Sequence, residues 1–208
     1  MGNYEYIVAS LPDITTGWKF GEKGPQDYIE EIVSLCSKKD NELIDFLLSG
    51  YMDENLNEEF YIKALSHKNR FIREFFRFDM NVRNAKVTYL NKALDRPAGK
   101  DVLTFSEDAP EAVLMTVEAE FEEADDLETI LNSGDILTRE RGIDDLVWEK
   151  ISKLTTFNYF DIDAILGFIT KLNIVARWYK LDEQTGREMF KKLVDEVRGT
   201  FKGVEYNG

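Results

Sequence analysis

Two side chains of the types most used in nucleophilic and acid–base chemistry occur once each in this 208-residue sequence, Cys36 and His67. One histidine and one cysteine cannot build a His/Cys zinc site. A Ser–His–Asp arrangement would have to be built on His67. That residue sits in Leu65-Ser66-His67-Lys68-Asn69, which reads as an exposed turn between helices. Cys36 ends the apolar-periodic segment Ile32-Val33-Ser34-Leu35-Cys36. A small buried hydrophobe is expected there, because no flanking feature lowers the thiol pKa. A lone cysteine excludes an intrachain disulfide and fits a reducing compartment.

Carboxylates are abundant: 40 Asp and Glu against 26 Lys and Arg give a formal charge of -14. Composition leaves paired-acid catalysis open, but most acids fall on polar helix faces. The di-iron carboxylate bundles need two Glu-x-x-His motifs, which one histidine cannot supply. The spacing of an Asp-x-Asp-x-Asp-Gly calcium loop is absent. Gly17, Gly21 and Gly24 match neither GxGxxG nor GxxxxGKS/T, and HExxH, GxSxG and CxxC are absent. The expectation is a protein with no catalytic, cofactor-binding or metal-binding residues. Its negative charge argues against nucleic acid and against anionic membranes as partners.

Arg70, Arg73 and Arg77 are the strongest positive feature on this acidic chain. Spaced i, i+3, i+7, they share one helix face. One reading is neutralisation by the chain's own acids, Glu74 among them. The other is an anchor for an acidic surface on another protein, since arginine is enriched at interface hot spots. Asp79 and Arg83 are spaced i, i+4 with the acid first, the favourable order on a helix. They fall inside an apolar arc, so they are expected to form a structural ion pair at the core edge. An exposed pair is worth tenths of a kcal/mol. Breaking a buried one costs about 3–5 kcal/mol.

The element that must position all five residues is a helix over 69–94, a stretch without Gly or Pro. At 100° per residue, Phe71, Phe75, Phe78, Val82, Ala85 and Tyr89 form one stripe. Ile72, Phe76, Met80, Val87 and Leu90 form a second beside it, so the helix should be packed on two sides. Upstream, aromatic and β-branched residues at 4–11 suit a short strand or an extended arm. Pro25 opens a helix that reaches Leu35. Ser37-Lys38-Lys39-Asp40 resembles a capping box that starts another, ending near Gly50, and a short helix follows at 57–65.

Downstream, Arg96-Pro97-Ala98-Gly99-Lys100 ends the long helix. Between Lys100 and Arg139 there is no Lys or Arg but there are twelve acids, with apolar residues embedded. That tract should fold as amphipathic helices whose acids form a solvated face, with a basic partner as the second reading. A helix over 139–154 follows. Residues 160–181 are apolar almost all round and belong in the middle of a bundle. Asp182 should cap a last helix reaching Arg198, with Met189, Phe190, Leu193 and Val197 inward, and the tail from Gly199 should fray. The fold class is therefore all-α, a bundle of seven or eight helices with at most a short N-terminal strand. It forms one unit over 1–208, and the break at 97–100 allows two related sub-bundles, 1–97 and 101–208. No apolar run approaches the roughly 18 residues of a spanning helix. The N-terminus lacks a secretory pattern and Tyr6 breaks a myristoylation motif, so a cytoplasmic protein is expected.

Three segments also resemble a known family. Tyr6-Ile7-Val8-Ala9-Ser10-Leu11-Pro12-Asp13 is similar to the "YxVASLPDL" opening of an uncharacterised bacterial family. The segment from Asn69 to Asp79, with Val82-Arg83-Asn84-Ala85, resembles its central "NKFLREWYxFExNLRN" block. The segment Asp161-Ile162-Asp163-Ala164-Ile165-Leu166-Gly167-Phe168-Ile169-Thr170-Lys171-Leu172, followed by Arg177-Trp178, resembles its "FDIDxILAYxLKLxIxxRW" block. The resemblance implies genes lying in V/A-type ATP synthase operons. It also implies a distant likeness to the C-type adaptor of those complexes, an all-helical protein between the rotor shaft and the membrane ring. The chain would then be a non-catalytic helical subunit or adaptor on a bacterial V-type ATP synthase, in the role of that C-type adaptor. It would have other protein subunits as partners and would lie at the inner membrane only through the complex. The alternative is a stand-alone helical interaction or assembly factor, and the third reading is a small-molecule hydrolase.

Overall fold

A computed structural model describes the backbone of residues 3–118 and 121–201, and side chains at 3–117 and 121–182. Nine α-helices follow one another among these residues. They are α1 (Tyr4–Ser10), α2 (Pro25–Leu35), α3 (Lys38–Ser49), α4 (Glu58–Leu65), α5 (Arg70–Ala93), α6 (Glu111–Glu118), α7 (Ala124–Leu131), α8 (Ile136–Thr155) and α9 (Ile162–Phe201). A 3-10 turn, Asp53–Asn55, joins α3 to α4. No strand occurs among the described residues, and none of their helices is long and apolar enough to cross a membrane.

The caps are local chemistry. The Ser37 hydroxyl accepts from the Asp40 N–H, and Asp40 reaches back to the Ser37 N–H. Asn57, Asn69 and Asp135 accept from the N–H groups of Phe60, Ile72 and Thr138, opening α4, α5 and α8. At the far end of α5, Asp95 turns the chain out with φ 51°, a left-handed conformation that Asp tolerates better than most residues.

The N-terminal segment, expected as a short strand or an extended arm, is a helix instead. A lone strand would leave its amides without a ladder, whereas a helix pairs them internally. It also docks: Ile7 is buried and the Tyr4 hydroxyl donates to Asp40 at 2.8 Å. The expected cap at Asp182 is likewise absent. The chain runs through it as one continuous helix, because no Gly or Pro interrupts 168–185 and a capping residue acts only where the backbone leaves the helix. The residues expected inward beyond it, Met189, Phe190, Leu193 and Val197, lie outside the described side chains. Of the tail expected to fray, Gly199 to Phe201 continue α9, and the residues after Phe201 lie outside the described ones. The added N-terminal helix and the two short helices of the acidic tract bring the number to nine among the described residues.

The hydrophobic core forms around α5. Its Phe71, Ile72, Phe75, Phe76 and Met80 pack with Ile44 and Leu47 of α3 and with Phe60, Tyr61 and Leu65 of α4. The same cluster includes Ile151 of α8 and Ile165, Leu166 and Ile169 of α9, so one core crosses the 96–100 break. Further along the stripe of Phe71 and Phe75, Phe78 and Val82 join a second cluster with Leu127, Leu131, Ile143 and Leu146. Packing on two sides is what the sequence arc requires. The second stripe is not buried to its end, however: Leu90 is exposed. Asn84 and Asn91 hold the following connector on α5, through Leu103 and through the carbonyls of Ala98 and Lys100.

Candidate interaction site

The first turn of α5 is positioned by Asn69. Its side-chain oxygen accepts from the Ile72 N–H at 2.9 Å, and its Nδ2 donates to Asp163 at 2.6 Å. Its own backbone N–H donates to His67 Nδ1 at 3.0 Å. One residue therefore fixes the N-terminus of α5 to the N-terminus of α9 and to the α4–α5 turn.

His67 is not the exposed loop residue expected. Its ring stacks on Phe46 with centroids 5.3 Å apart and is half-buried, and that burial lowers its pKa. A turn residue gains burial when a helix from elsewhere in the chain covers it, which local sequence does not encode. Cys36 is half-buried too, and desolvation, with a smaller contribution from Asp40, pushes its thiol up to about 11.

The arginines follow from this anchor. Arg70 is exposed, and its charge acts on Asp163. Arg73 donates from Nη1 to the His67 carbonyl at 2.8 Å and lies 3.7 Å from Glu74. Arg77 pairs with the same carboxylate at 3.2 Å. The three residues share one face, and two of them are engaged by Glu74.

One turn on, Arg83 Nε donates to Asp79 Oδ2 at 2.8 Å, and the same oxygen accepts from the Tyr61 hydroxyl at 2.7 Å. The side chains of Arg83 and Asp79 are 42% and 22% exposed, so the pair sits at the core edge. Burial, and then the Asp79 carboxylate, drive the Tyr61 phenol pKa upward.

The aromatic run of the α8–α9 turn adjoins the Asn69 anchor. Asn158 donates to Asp161, whose other oxygen accepts from the Ala164 N–H and opens α9. This clasp leaves Phe157, Tyr159 and Phe160 projecting, 86%, 68% and 54% exposed. The apolar pattern of the sequence puts Phe160 inside the central helix, but α9 begins only at Ile162, after the Asp161 cap. Three large aromatics and an exposed arginine thus stand at one end of the bundle, a composition typical of interface hot spots. The signal in the sequence is Asn158 and Asp161 bracketing Tyr159 and Phe160, a turn pattern rather than a helical one.

Two further groups escape a reading of sequence. Asp144 of α8 is buried and accepts from both Arg177 and Trp178 of α9. Lys150 and Glu123 form a largely buried pair at 2.7 Å. Each pairs residues more than 25 positions apart, beyond any local spacing rule.

Of the acidic tract, α6 and α7 are helical as expected, and α7 leaves Asp125, Asp126 and Glu128 exposed. Among the described residues, no group of three or more His, Cys, Asp or Glu could hold a metal ion.

The model of the family described as "Protein of unknown function (DUF2764)" matches residues 51–200, from the end of α3 through nearly all of α9. No curated protein and no solved structure matches the chain. The chain belongs to this family of unknown function.

Proposed function

We propose that this protein is a non-catalytic helical adaptor that associates with a bacterial V-type ATP synthase, in the role of its C-type adaptor between rotor shaft and membrane ring. The observation that carries the adaptor reading is the surface at the α5–α9 end, where Phe157, Tyr159 and Phe160 project from the turn before α9 and Arg70 is exposed next to Asn69, which bonds Asp163 of α9. Exposed aromatics cost solubility in isolation and gain burial only against another macromolecule. Arg70 adds a charge that would orient an acidic partner surface. The choice of complex rests on the resemblance of the three sequence blocks to the family encoded in such operons.

The hydrolase reading needs converging carboxylates in a cavity. A cavity of about 620 Å³ between α5 and α7 is lined among the described residues by a single carboxylate, Glu128, with mainly apolar walls. The adaptor acts mechanically, as a rigid body coupling two parts by surface fit, and needs no cofactor.

The test is affinity purification of the tagged chain from native membranes of a bacterium that encodes it. V-type ATP synthase subunits should co-purify, and Arg70→Glu with Phe157→Ser should abolish their recovery. Arg73 and Arg77 are left untouched because Glu74 and the His67 carbonyl engage them within the fold. Recovery with immature complexes alone would favour the assembly-factor alternative. Absence of these subunits from the eluate would refute the association.

A further inference from the structure

Among the described residues, three lysines are partly buried rather than exposed: Lys86, Lys150 and Lys171. Lys86 pairs with Glu140 at 2.9 Å and Lys150 with Glu123 at 2.7 Å. Lys171 has no carboxylate within ion-pair distance among the described residues. Its Nζ stands instead 4.8 Å from the centroid of the Trp148 ring of α8. Burial lowers its pKa, and Asp13 offsets part of this through space. The exposed Lys23 and Lys153 shift the other way, raised by Glu31 and Glu149.

Lys171 also lines a cavity of about 310 Å³. That volume lies at the lower end of the range for small-molecule sites, about 300–1,000 Å³. The α9 wall is Ala164, Phe168 and Lys171, spaced i, i+4, i+7 on one face. Thr155 of α8, Asn158 of the α8–α9 turn and Asp13 of the segment after α1 face it. Asp13 is exposed, so the cavity reaches the surface.

We propose that this cavity is a covalent binding site for a small aldehyde, held as a protonated imine on Lys171. A lysine withdrawn from water and free of an ion pair holds more of its amine neutral and nucleophilic. The nitrogen attacks the carbonyl carbon, and a C–N bond forms as the C=O π pair moves onto oxygen. That oxygen takes one proton from the nitrogen and one from solvent and leaves as water. The nitrogen lone pair closes the C=N bond, and the nitrogen keeps one hydrogen and the positive charge. The Trp148 ring and the Asp13 carboxylate both favour that charge. An acyl donor would leave a neutral amide and forfeit both interactions. A carboxylate or phosphate ligand would meet Lys171 but be repelled by Asp13. The inference is independent of the adaptor reading.

The experiment treats the full-length folded chain with benzaldehyde and sodium cyanoborohydride, which reduces the imine to a stable benzylamine. Peptide mass spectrometry then maps the adducts. Lys171 should carry several times the adduct of the exposed Lys38, Lys68 and Lys180. The N-terminal amine is scored apart because its intrinsic pKa is low. The preference should vanish in urea. Ala164→Leu fills the cavity from the α9 wall and should lower the Lys171 adduct several-fold while circular dichroism stays parental. Excess benzyl alcohol, an unreactive analogue, should do the same without a substitution. Acetic anhydride reads amine reactivity alone and should show a smaller preference for Lys171.

Equal labelling of Lys171 and the exposed lysines, or a preference that survives urea, would overturn the proposal. Labelling unchanged by benzyl alcohol and by Ala164→Leu would remove the cavity from the reaction. An equal preference with acetic anhydride would reduce the site to a reactive amine and overturn its assignment to aldehydes.

Discussion

Asn69 and Asp163, 94 positions apart in sequence, are joined by a 2.6 Å hydrogen bond from the Asn69 amide to a carboxylate oxygen. The same amide group caps α5 through Ile72. A residue chosen locally as a cap therefore also closes a long-range contact. Asn69→Ala should remove both functions and cost about 2–3 kcal/mol, about 1 from the cap and the rest from an under-satisfied carboxylate. Asn69→Ser retains the cap alone and should lose roughly half as much. Urea unfolding of the two variants separates the terms, and equal losses would show that the bridge contributes nothing.

Asp163 itself carries a cost at neutral pH. Burial raises its pKa, Asp161 adds to this, and the Asn69 hydrogen bond and Arg70 offset only part. A raised carboxyl pKa means that the folded state favours the protonated form. The stabilising contribution is full below the unfolded pKa and is lost as pH rises through the folded pKa. Asp163→Asn keeps an acceptor for Asn69 and removes the charge. It should melt higher than the parent at pH 7, with the gain vanishing below about pH 4, where the carboxyl is protonated in both states. Thermal unfolding at several pH values checks this, and a gain constant with pH would contradict it.

Tyr61 and Arg83 share one oxygen of Asp79. Because Arg83 is substantially exposed, the buried Tyr61 hydroxyl carries more of the energy than the ion pair does. Tyr61→Phe should cost about 1 kcal/mol, and Asp79→Ala about 1–3 kcal/mol because it strands that hydroxyl. A double-mutant cycle should give a coupling of about 1 kcal/mol for Tyr61 with Asp79 and a smaller one for Arg83 with Asp79.

At Gly167, α9 passes close against α8. A Cβ there would stand 2.6 Å from Thr155 Cγ2 and 3.4 Å from Ile151 Cγ2. Gly167→Ala gains about 1 kcal/mol of helix propensity but overpacks the contact at about 1–3 kcal/mol, so a net loss is expected. Thr155→Ser deletes the offending methyl and keeps the hydroxyl that donates to the Ile151 carbonyl. Combined with Gly167→Ala, it should restore stability to at least the parental level. Additive losses in the pair would place the clash elsewhere.

Cys36 should be sluggish toward alkylation. Its thiol is pushed up to about 11, by desolvation first and Asp40 second. Iodoacetamide labelling at pH 8 should run well below the rate of the unfolded chain and rise steeply toward pH 11 while circular dichroism shows the fold intact. Asp40→Asn should accelerate it only modestly, since burial is the larger cause. Rapid labelling of the folded chain at pH 8 would contradict the assigned environment.

The sequence alone determined the helical class, the two-sided packing of α5, the cap at Ser37 and the i, i+4 spacing of Asp79 and Arg83. These depend on a period of 3.6 residues and on side chains that bond their own backbone, interactions complete within a few positions. The arginine face was legible for the same reason. Tertiary structure decided which arginines stay available, since Arg73 turns to the His67 carbonyl and Arg77 to Glu74, whereas Arg70 remains exposed. It also placed Tyr61 on Asp79, Asp163 on Asn69 and Trp178 on Asp144, contacts 18, 94 and 34 positions apart. Docking likewise made the N-terminal segment a helix, exposed Phe157 and Phe160, and opened the cavity beside α7. Burial is a property of what packs against a residue, and no spacing rule along one chain segment contains the position of another.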